Sequence, residues 1–519
     1  MLSHCFGGQL STSTVSGARM NFAPIDWIIV VTYLAASVAI GLAGRKYVGN
    51  TAHFLVAGRE LGTWIGVATL AATEIGTITF MYNSELGYRY GFAALSAALI
   101  SGVVMIFVGR TGFVISRLRE LRLMTVPEYF EVKYSRGLRI LTGLLVALGG
   151  ILNMGVFLKI EGEFLTVTSG LNSRYLIPTM IAILLLEMIY TTIGGMVSVV
   201  ITDYLQYVLL SIATIIITLY AVHFAGWHAM VSRVDALMGP SGFNPIVAPK
   251  FGMSFLVWQL LLWFSIHTCW QTTAMRMFST RSPEVSKRVM TWTGFIFLGR
   301  GMLPMLWGIA ALVLFGHGPL SNGVPQALVQ GKVMAPIDAM PAMLSQLLGT
   351  GIRGIVVAGM LAATMSVNSS YLLGWSAVIS QDVIAPLRRV SGKAPLSDKS
   401  ELLINRICNA CVGLFLIFWG LYYTPPGAVY LYLNITGTIF LAGAFVCVVG
   451  GLYWRRANVA GGYLAMLMGA IGAIVPFFFL HRSESFSGFA SFGLATAGLL
   501  VGSFVGAKPK RTVSQEVDA

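Results

Sequence analysis

The chain has 519 residues, of which 56% are hydrophobic and only 10% charged, with mean hydropathy +0.78. A soluble domain carries about 25% charge, so this composition excludes a soluble globular protein and indicates a polytopic membrane protein. The formal net charge of +14 invites a nucleic-acid reading, but the location of the charges along the chain rejects it.

In chain order, residues 1–25 are polar and uncharged until Arg19, unlike a normal signal peptide, and read as a flexible extracytoplasmic N-terminus. Met20 is a plausible alternative start to Met1. A helical span needs about 20 apolar residues. About thirteen candidates begin near Asp26, Thr63, Phe92, Leu138, Tyr175, Val197, Phe251, Val289, Gly351, Leu403, Ala428, Ala460 and Phe486. The predicted organisation is an extra helix over 26–44, a five-helix set over 63–222 and a second five-helix set over 251–452. Two C-terminal helices over 460–506 and a cytoplasmic tail over 507–519 complete it. An odd number of spans per set places the two sets in opposite orientations, as in an inverted-topology repeat.

Arg45, Lys46 and Arg59 lie in one loop, and Arg117, Arg119, Arg122, Lys133, Arg136 and Arg139 in the next alternate one. Arg281 to Arg288, Arg388 to Lys399, Arg455 and Arg456, and Lys508 to Arg511 continue on the same side. This is the positive-inside pattern, with the N-terminus outside and the C-terminus in the cytoplasm. The basic balance therefore reflects topology and contact with anionic lipid, not nucleic acid.

In inverted-repeat transporters the first helix of each repeat is broken at the bilayer midplane. Both corresponding segments here look breakable: ATEIGTITF, with Glu74, Gly76, Thr77 and Thr79, and WFSIHTCWQTT, with Ser265, His267, Thr268 and Gln271. A break frees backbone carbonyls, which then need a partner such as a cation; Ser and Thr also serve simply as helix-packing residues. Asp203, in GGMVSVVITDYLQ, is an acid in an apolar run that continues to Val222. At that depth it costs ~3 kcal/mol and marks an ion or solute path, or else it is a structural acid. Cys408 and Cys411 form a CxxC inside an apolar helix without a second Cys or His pair nearby, and read as buried thiols.

Several strings together resemble the sodium:solute symporter family: FLVAGRELGTWIGVATLAAT, MTVPEYFEVKYS, YTTIGGMVSVVITDYLQ, AGMLAATMSVNSSYLLGWSAVISQD and GLYWRRANVAGGYLAMLMG. The resemblance covers most of the chain. It implies an all-α membrane protein of about thirteen helices in the five-plus-five fold of the leucine transporter. It also implies a Na+ site at the carbonyls of Ala72, Ile75 and Ala363 and the hydroxyl of Ser366. The family usually has Ser or Thr at the next position, where this chain has Val367; that removes one oxygen from a site that wants five or six. Glu74 and Asp203 are the carboxylates available to compensate. A desolvated carboxyl holds a proton more readily, so Glu74 is either a sodium helper or the site of a proton-coupled carrier.

Candidate solute contacts are Arg300, Thr79, Ser101, His267 and Lys159. Arg300, in FLGRGMLP, suits a carboxylate by bidentate geometry, or pairs internally with Glu187 or Glu74. Lys159 with Glu163 also reads as an i,i+4 ion pair. Residues 92–115 contain no acid, which the family's sugar sites often use. The expected function is cation-coupled symport, with Na+ first, of a small carboxylate or amino acid by alternating access. The alternatives are a proton-coupled or uncoupled carrier of the same fold, and a transporter-like sensor. No organic cofactor is expected, only Na+ or H+ as coupling ion. An enzyme is disfavoured by the lack of HExxH and GxSxG and by seven scattered His.

Overall fold

A computed structural model of the chain describes residues 22–43, 46, 51–248, 251–321, 324–329, 331–394, 396–423 and 428–506. The expectations for residues 1–21 and 507–519 lie outside the described residues.

The long helices run in order as α1 (Pro24–Ala43), α2 (Thr63–Glu74), α3 (Thr77–Tyr90), α4 (Leu95–Thr111), α5 (Arg136–Met154), α6 (Phe157–Ser169) and α7 (Leu176–Ala225). There follow α8 (Gly252–Cys269), α9 (Gln271–Phe278), α10 (Pro283–Phe315), α11 (Ile352–Val378), α12 (Asp398–Tyr422), α13 (Val429–Tyr453), α14 (Val459–Ile474) and α15 (Glu484–Val505). Two short antiparallel hairpins, Leu320–Ser321 with Val324–Pro325 and Ala327–Val329 with Lys332–Met334, lie in the connection from α10 to α11.

Among the described residues, 11 helical stretches are long and apolar enough to cross a membrane, not the expected thirteen. Two features reduce the number. Helix α2 has only 12 residues, below the length of a span, and its continuation α3 runs on into α4 as one 35-residue stretch, Thr77–Thr111. Helix α7 has 50 residues, which at about 1.5 Å each is about two and a half times the thickness of a hydrocarbon core. It is really two helices meeting at Gly195, whose φ of 53° and ψ of −150° are non-helical. A Cβ at Gly195 would also sit 2.5 Å from the Phe54 ring, so both the backbone angle and the packing require glycine.

Both predicted breaks are present. Helix α2 stops at Glu74, and Ile75 takes φ −112° and ψ 82° before α3 begins after Gly76. Helix α8 stops at Cys269, and Trp270 takes an extended φ −68° and ψ 124° before α9. A glycine and a run of hydroxyl residues supply the local cause of the first break. The Thr79 hydroxyl accepts from the Gly76 N–H at 3.3 Å, which caps α3. At the second, the large Trp270 side chain packs against Phe440 and Trp375 and holds the extended residue in place.

The central helix is α11, nearly all of whose residues are buried. It packs against α1, both halves of the first break, α5, α7, α9 and α12. The Asp26 carboxylate of α1 accepts from the N–H groups of Gly351 and Gly354, each at 2.8 Å. An acid at the N-terminus of α11 satisfies otherwise unpaired donors and complements the helix dipole. Exposed apolar stripes such as Leu99, Val103 and Phe107 on α4, and Ile212, Ile215 and Leu219 on α7, form the surface offered to lipid.

Candidate solute and cation site

The two breaks line a common cavity. Its lining includes Glu74, Thr79, Tyr82, Trp263, Trp270, Arg300, Val367, Tyr371, Tyr430 and Asn434. Aromatic walls with a few convergent polar groups are the usual make-up of a small-molecule site. Two opposite charges face this space.

Glu74 ends α2. Its Oε1 accepts from the hydroxyls of Thr272 at 3.0 Å and Thr273 at 2.8 Å, both on the first turn of α9. The two half-helices are thereby tied through one carboxylate oxygen. Arg300 comes from the middle of α10. Its Nη2 donates to the Tyr82 hydroxyl at 3.2 Å, and its guanidinium lies 4.4 Å from the Phe297 ring centre and 6.0 Å from that of Trp263. Among the described residues Arg300 forms no ion pair, and neither Glu74 nor Glu187 reaches it. Ring faces hold the cation by about 0.5–2 kcal/mol and leave its hydrogen-bonding edge largely unused.

The other expected contacts divide. Thr79 lines the cavity but spends its hydroxyl on the break, donating to the Glu74 carbonyl at 3.4 Å. Ser101 lines a smaller neighbouring cavity that also reaches Arg300 and Tyr82. His267 lines neither cavity. Its Nε2 is 3.0 Å from the Ser101 carbonyl and its ring stacks on Trp263 at 5.2 Å, which places it behind the wall. Lys159 also lies outside both linings and acts electrostatically on Glu163.

Of the residues expected to hold a cation, Ala72 and Ile75 lie at the first break, and Ser366 is linked to α2 through Asp203 and Thr69. Ala72 and Ile75 flank Glu74, with the Ile75 N–H donating to the Ala72 carbonyl at 3.4 Å, a long bond that leaves that oxygen weakly held. Ala363 and Ser366 lie one turn apart on α11, both fully buried. The Ser366 hydroxyl donates to Asp203 Oδ1 at 2.5 Å. Val367 is buried against the Gly76 backbone, where a Cβ on Gly76 would be 2.8 Å from Val367 Cγ2. A methyl therefore occupies the place next to the break where a hydroxyl was expected.

Arg276, on α9, was not singled out in the sequence. It is fully buried, and its Nη2 lies 3.3 Å from Asp203 Oδ2. The same nitrogen donates to the Ser370 hydroxyl, which is 3.1 Å from that of Thr73. Thr69 of α2 also donates to Asp203 Oδ2. Asp203 and Arg276 thus join α2, α7, α9 and α11 in one polar knot. The charge of Asp203 is met by a protein cation, Arg276. The signal for Arg276 was a lone arginine six residues past the second break, in QTTAMRMF.

A family model described as the sodium:solute symporter family matches residues 54–469. The sodium/glucose cotransporter of Vibrio parahaemolyticus is 25% identical, with 89% of this chain and 86% of that protein covered. A sodium/proline symporter of Staphylococcus aureus is also 25% identical, covering 90% and 88%. Among solved structures, a Na+-coupled sialic acid symporter in a substrate-bound outward-open state superposes with TM-score 0.80. It shares 19% identity and covers 95% of this chain and 99% of its own. The fold is that of the leucine-transporter class, an all-α membrane architecture.

Proposed function

The chain belongs to the sodium:solute symporter family, and we propose that it is a carrier, not an enzyme, which uses a Na+ gradient to move a small organic acid. An amino acid fits best. The observation that carries this reading is Arg300, which faces the aromatic cavity without an ion-pair partner among the described residues while Glu74 faces the same space. A carboxylate would complete the guanidinium by two parallel N–H donors, and an ammonium group would meet Glu74. A neutral sugar would leave the Arg300 guanidinium without a counter-charge. Na+ would bind at Ala72, Ile75, Ala363 and Ser366, with Asp203 behind Ser366. Rocking of the helices about the two breaks would then expose the cavity to each side in turn. The positive-inside pattern orients the chain in a plasma or inner membrane with its C-terminus in the cytoplasm.

A thermal-shift screen of the purified protein against carboxylates, amino acids and sugars, with and without Na+, tests the reading. An amino acid or carboxylate that stabilises more in Na+ supports it. Stabilisation by neutral solutes alone would refute it. Val367 favours a second reading, a proton-coupled or uncoupled carrier, because its methyls supply no ligand oxygen. Counterflow in liposomes with and without an ion gradient separates the two.

A further inference from the structure

A second polar cluster lies inside the helix bundle, outside both cavities. Glu161 of α6, Glu187 of the first half of α7 and Asn368 of α11 are 2%, 0% and 1% exposed. Asn368 Nδ2 donates to Glu161 Oε2 at 2.8 Å and lies 3.4 Å from Glu187 Oε1. The two carboxyls are therefore no farther apart than those two bonds laid end to end. Glu161 Oε1, Glu187 Oε2 and Asn368 Oδ1 are buried and have no hydrogen-bond partner among the described residues.

The charged and titratable neighbours do not neutralise the pair. Among the described residues, no Arg, Lys or His forms an ion pair with either carboxyl. On α6, Lys159 acts on Glu163. From α1 and α7, Tyr33 and Tyr190 approach Glu187, but the Tyr190 hydroxyl donates to the Met365 carbonyl at 3.0 Å and that of Tyr33 points to Met365 Sδ at 3.6 Å. Beyond α6, Asp338 faces Glu163. Asp203 belongs to Arg276.

Two like charges this close in a dry interior cannot both persist without a counter-charge. A metal ion is a poor counter-charge here. All three residues lie within continuous stretches of helix whose carbonyls are taken by the ladder. Three side chains alone fall short of the five or six oxygens a hard cation wants. A proton meets the need directly, because a carboxylic acid becomes a donor and one of the orphaned oxygens becomes its acceptor.

We propose that Glu161, Glu187 and Asn368 form a proton-binding site, separate from the solute cavity and the metal-cation site, in which the two carboxyls share at least one proton. The inference goes beyond the transport reading and does not depend on the solute or the coupling ion. Loss of the last proton would leave two unpaired charges among α6, α7 and α11. The site therefore keeps its proton while these helices stay packed as they are, and releases it only when they part.

Infrared spectroscopy of the purified full chain in lipid nanodiscs tests this through the carbonyl stretch of buried carboxylic acids near neutral pH. The probe is the proton itself, with exchange into D2O to identify the band. Glutamine reproduces the shape of a protonated glutamate and supplies an N–H donor, so Glu161→Gln and Glu187→Gln are both expected to fold. At least one should lose one carboxylic-acid band relative to wild type. Three results would each overturn the proposal: no such band in the wild type, a band unchanged in both variants, or failure of both variants to fold.

Discussion

Neutralising Asp203 separates the electrostatic knot at the first break from a simple ligand role. Asp203 and Arg276 are both fully buried, with 3.3 Å between Oδ2 and Nη2. At an effective dielectric of about 20, that separation corresponds to about 5 kcal/mol of attraction. Removing one member of a buried pair costs about 3–5 kcal/mol, because the remaining charge stays dry and unpaired. Arg276 is especially sensitive to this loss, since its Nε and Nη1 already have no partner among the described residues. Asp203→Asn keeps an acceptor for one of the two hydroxyls, Ser366 on Oδ1 or Thr69 on Oδ2, turns the other oxygen into an N–H donor and removes the counter-charge. The expected result is a large drop in resistance to unfolding in mixed detergent micelles. Arg276→Met should show a comparable drop by leaving Asp203 unpaired. The double variant Asp203→Asn/Arg276→Met should lose much less than the sum of the two, because no lone charge remains. Wild-type stability in Asp203→Asn, or additive losses in the double variant, would refute the reasoning.

Arg300→Gln keeps hydrogen-bonding capacity and removes the charge, so solute binding should weaken by about 2–5 kcal/mol if a carboxylate meets the guanidinium; calorimetry of the purified variant measures this, and lower thermal stability with unchanged affinity would make Arg300 structural. Val367→Ser restores a hydroxyl beside Ser366 and should raise apparent Na+ affinity about tenfold, worth about 1.4 kcal/mol; an unchanged Na+ half-saturation would show that this region does not bind Na+. Asp338, in the turn Pro336–Asp338 outside the spans, is pushed up to about 7 by burial, with Glu163 and Glu85 adding repulsion. Its native form binds a proton that the unfolded chain releases near pH 4, so thermal stability should fall between about pH 4 and pH 7 and level off above. Asp338→Asn should lose that part of the slope, and an identical pH profile in the variant would contradict the assignment.

The breaks were legible because their causes are local. ATEIGTITF puts glycine and hydroxyl residues inside an apolar run, and the helix stops between Glu74 and Thr77. HTCWQTT marks the second break in the same way, although the tryptophan that becomes extended was not the residue the sequence emphasised. Asp203 stood out as an acid in hydrophobic surroundings. Its partner did not, because Arg276 is 73 residues away and no periodicity links them. The grouping of Glu161, Glu187 and Asn368 was hidden for the same reason, with Asn368 separated by 207 and 181 residues from the two glutamates. The i,i+4 spacing of Lys159 and Glu163 drew attention to one face of α6, while Glu161 turned the other way into the bundle. His267 looked available for solute because polar residues surround it in sequence. In three dimensions its aromatic neighbours Trp263 and Phe297 and the Ser101 carbonyl enclose it.

The most direct test of the transport account is uptake into proteoliposomes of the solute found by thermal-shift screening, with an imposed inward Na+ gradient and with choline in its place. The account predicts accumulation above the external concentration only with the Na+ gradient, and loss of that accumulation in Arg300→Gln. Equal accumulation in choline, or concentrative uptake unaffected by Arg300→Gln, would contradict it.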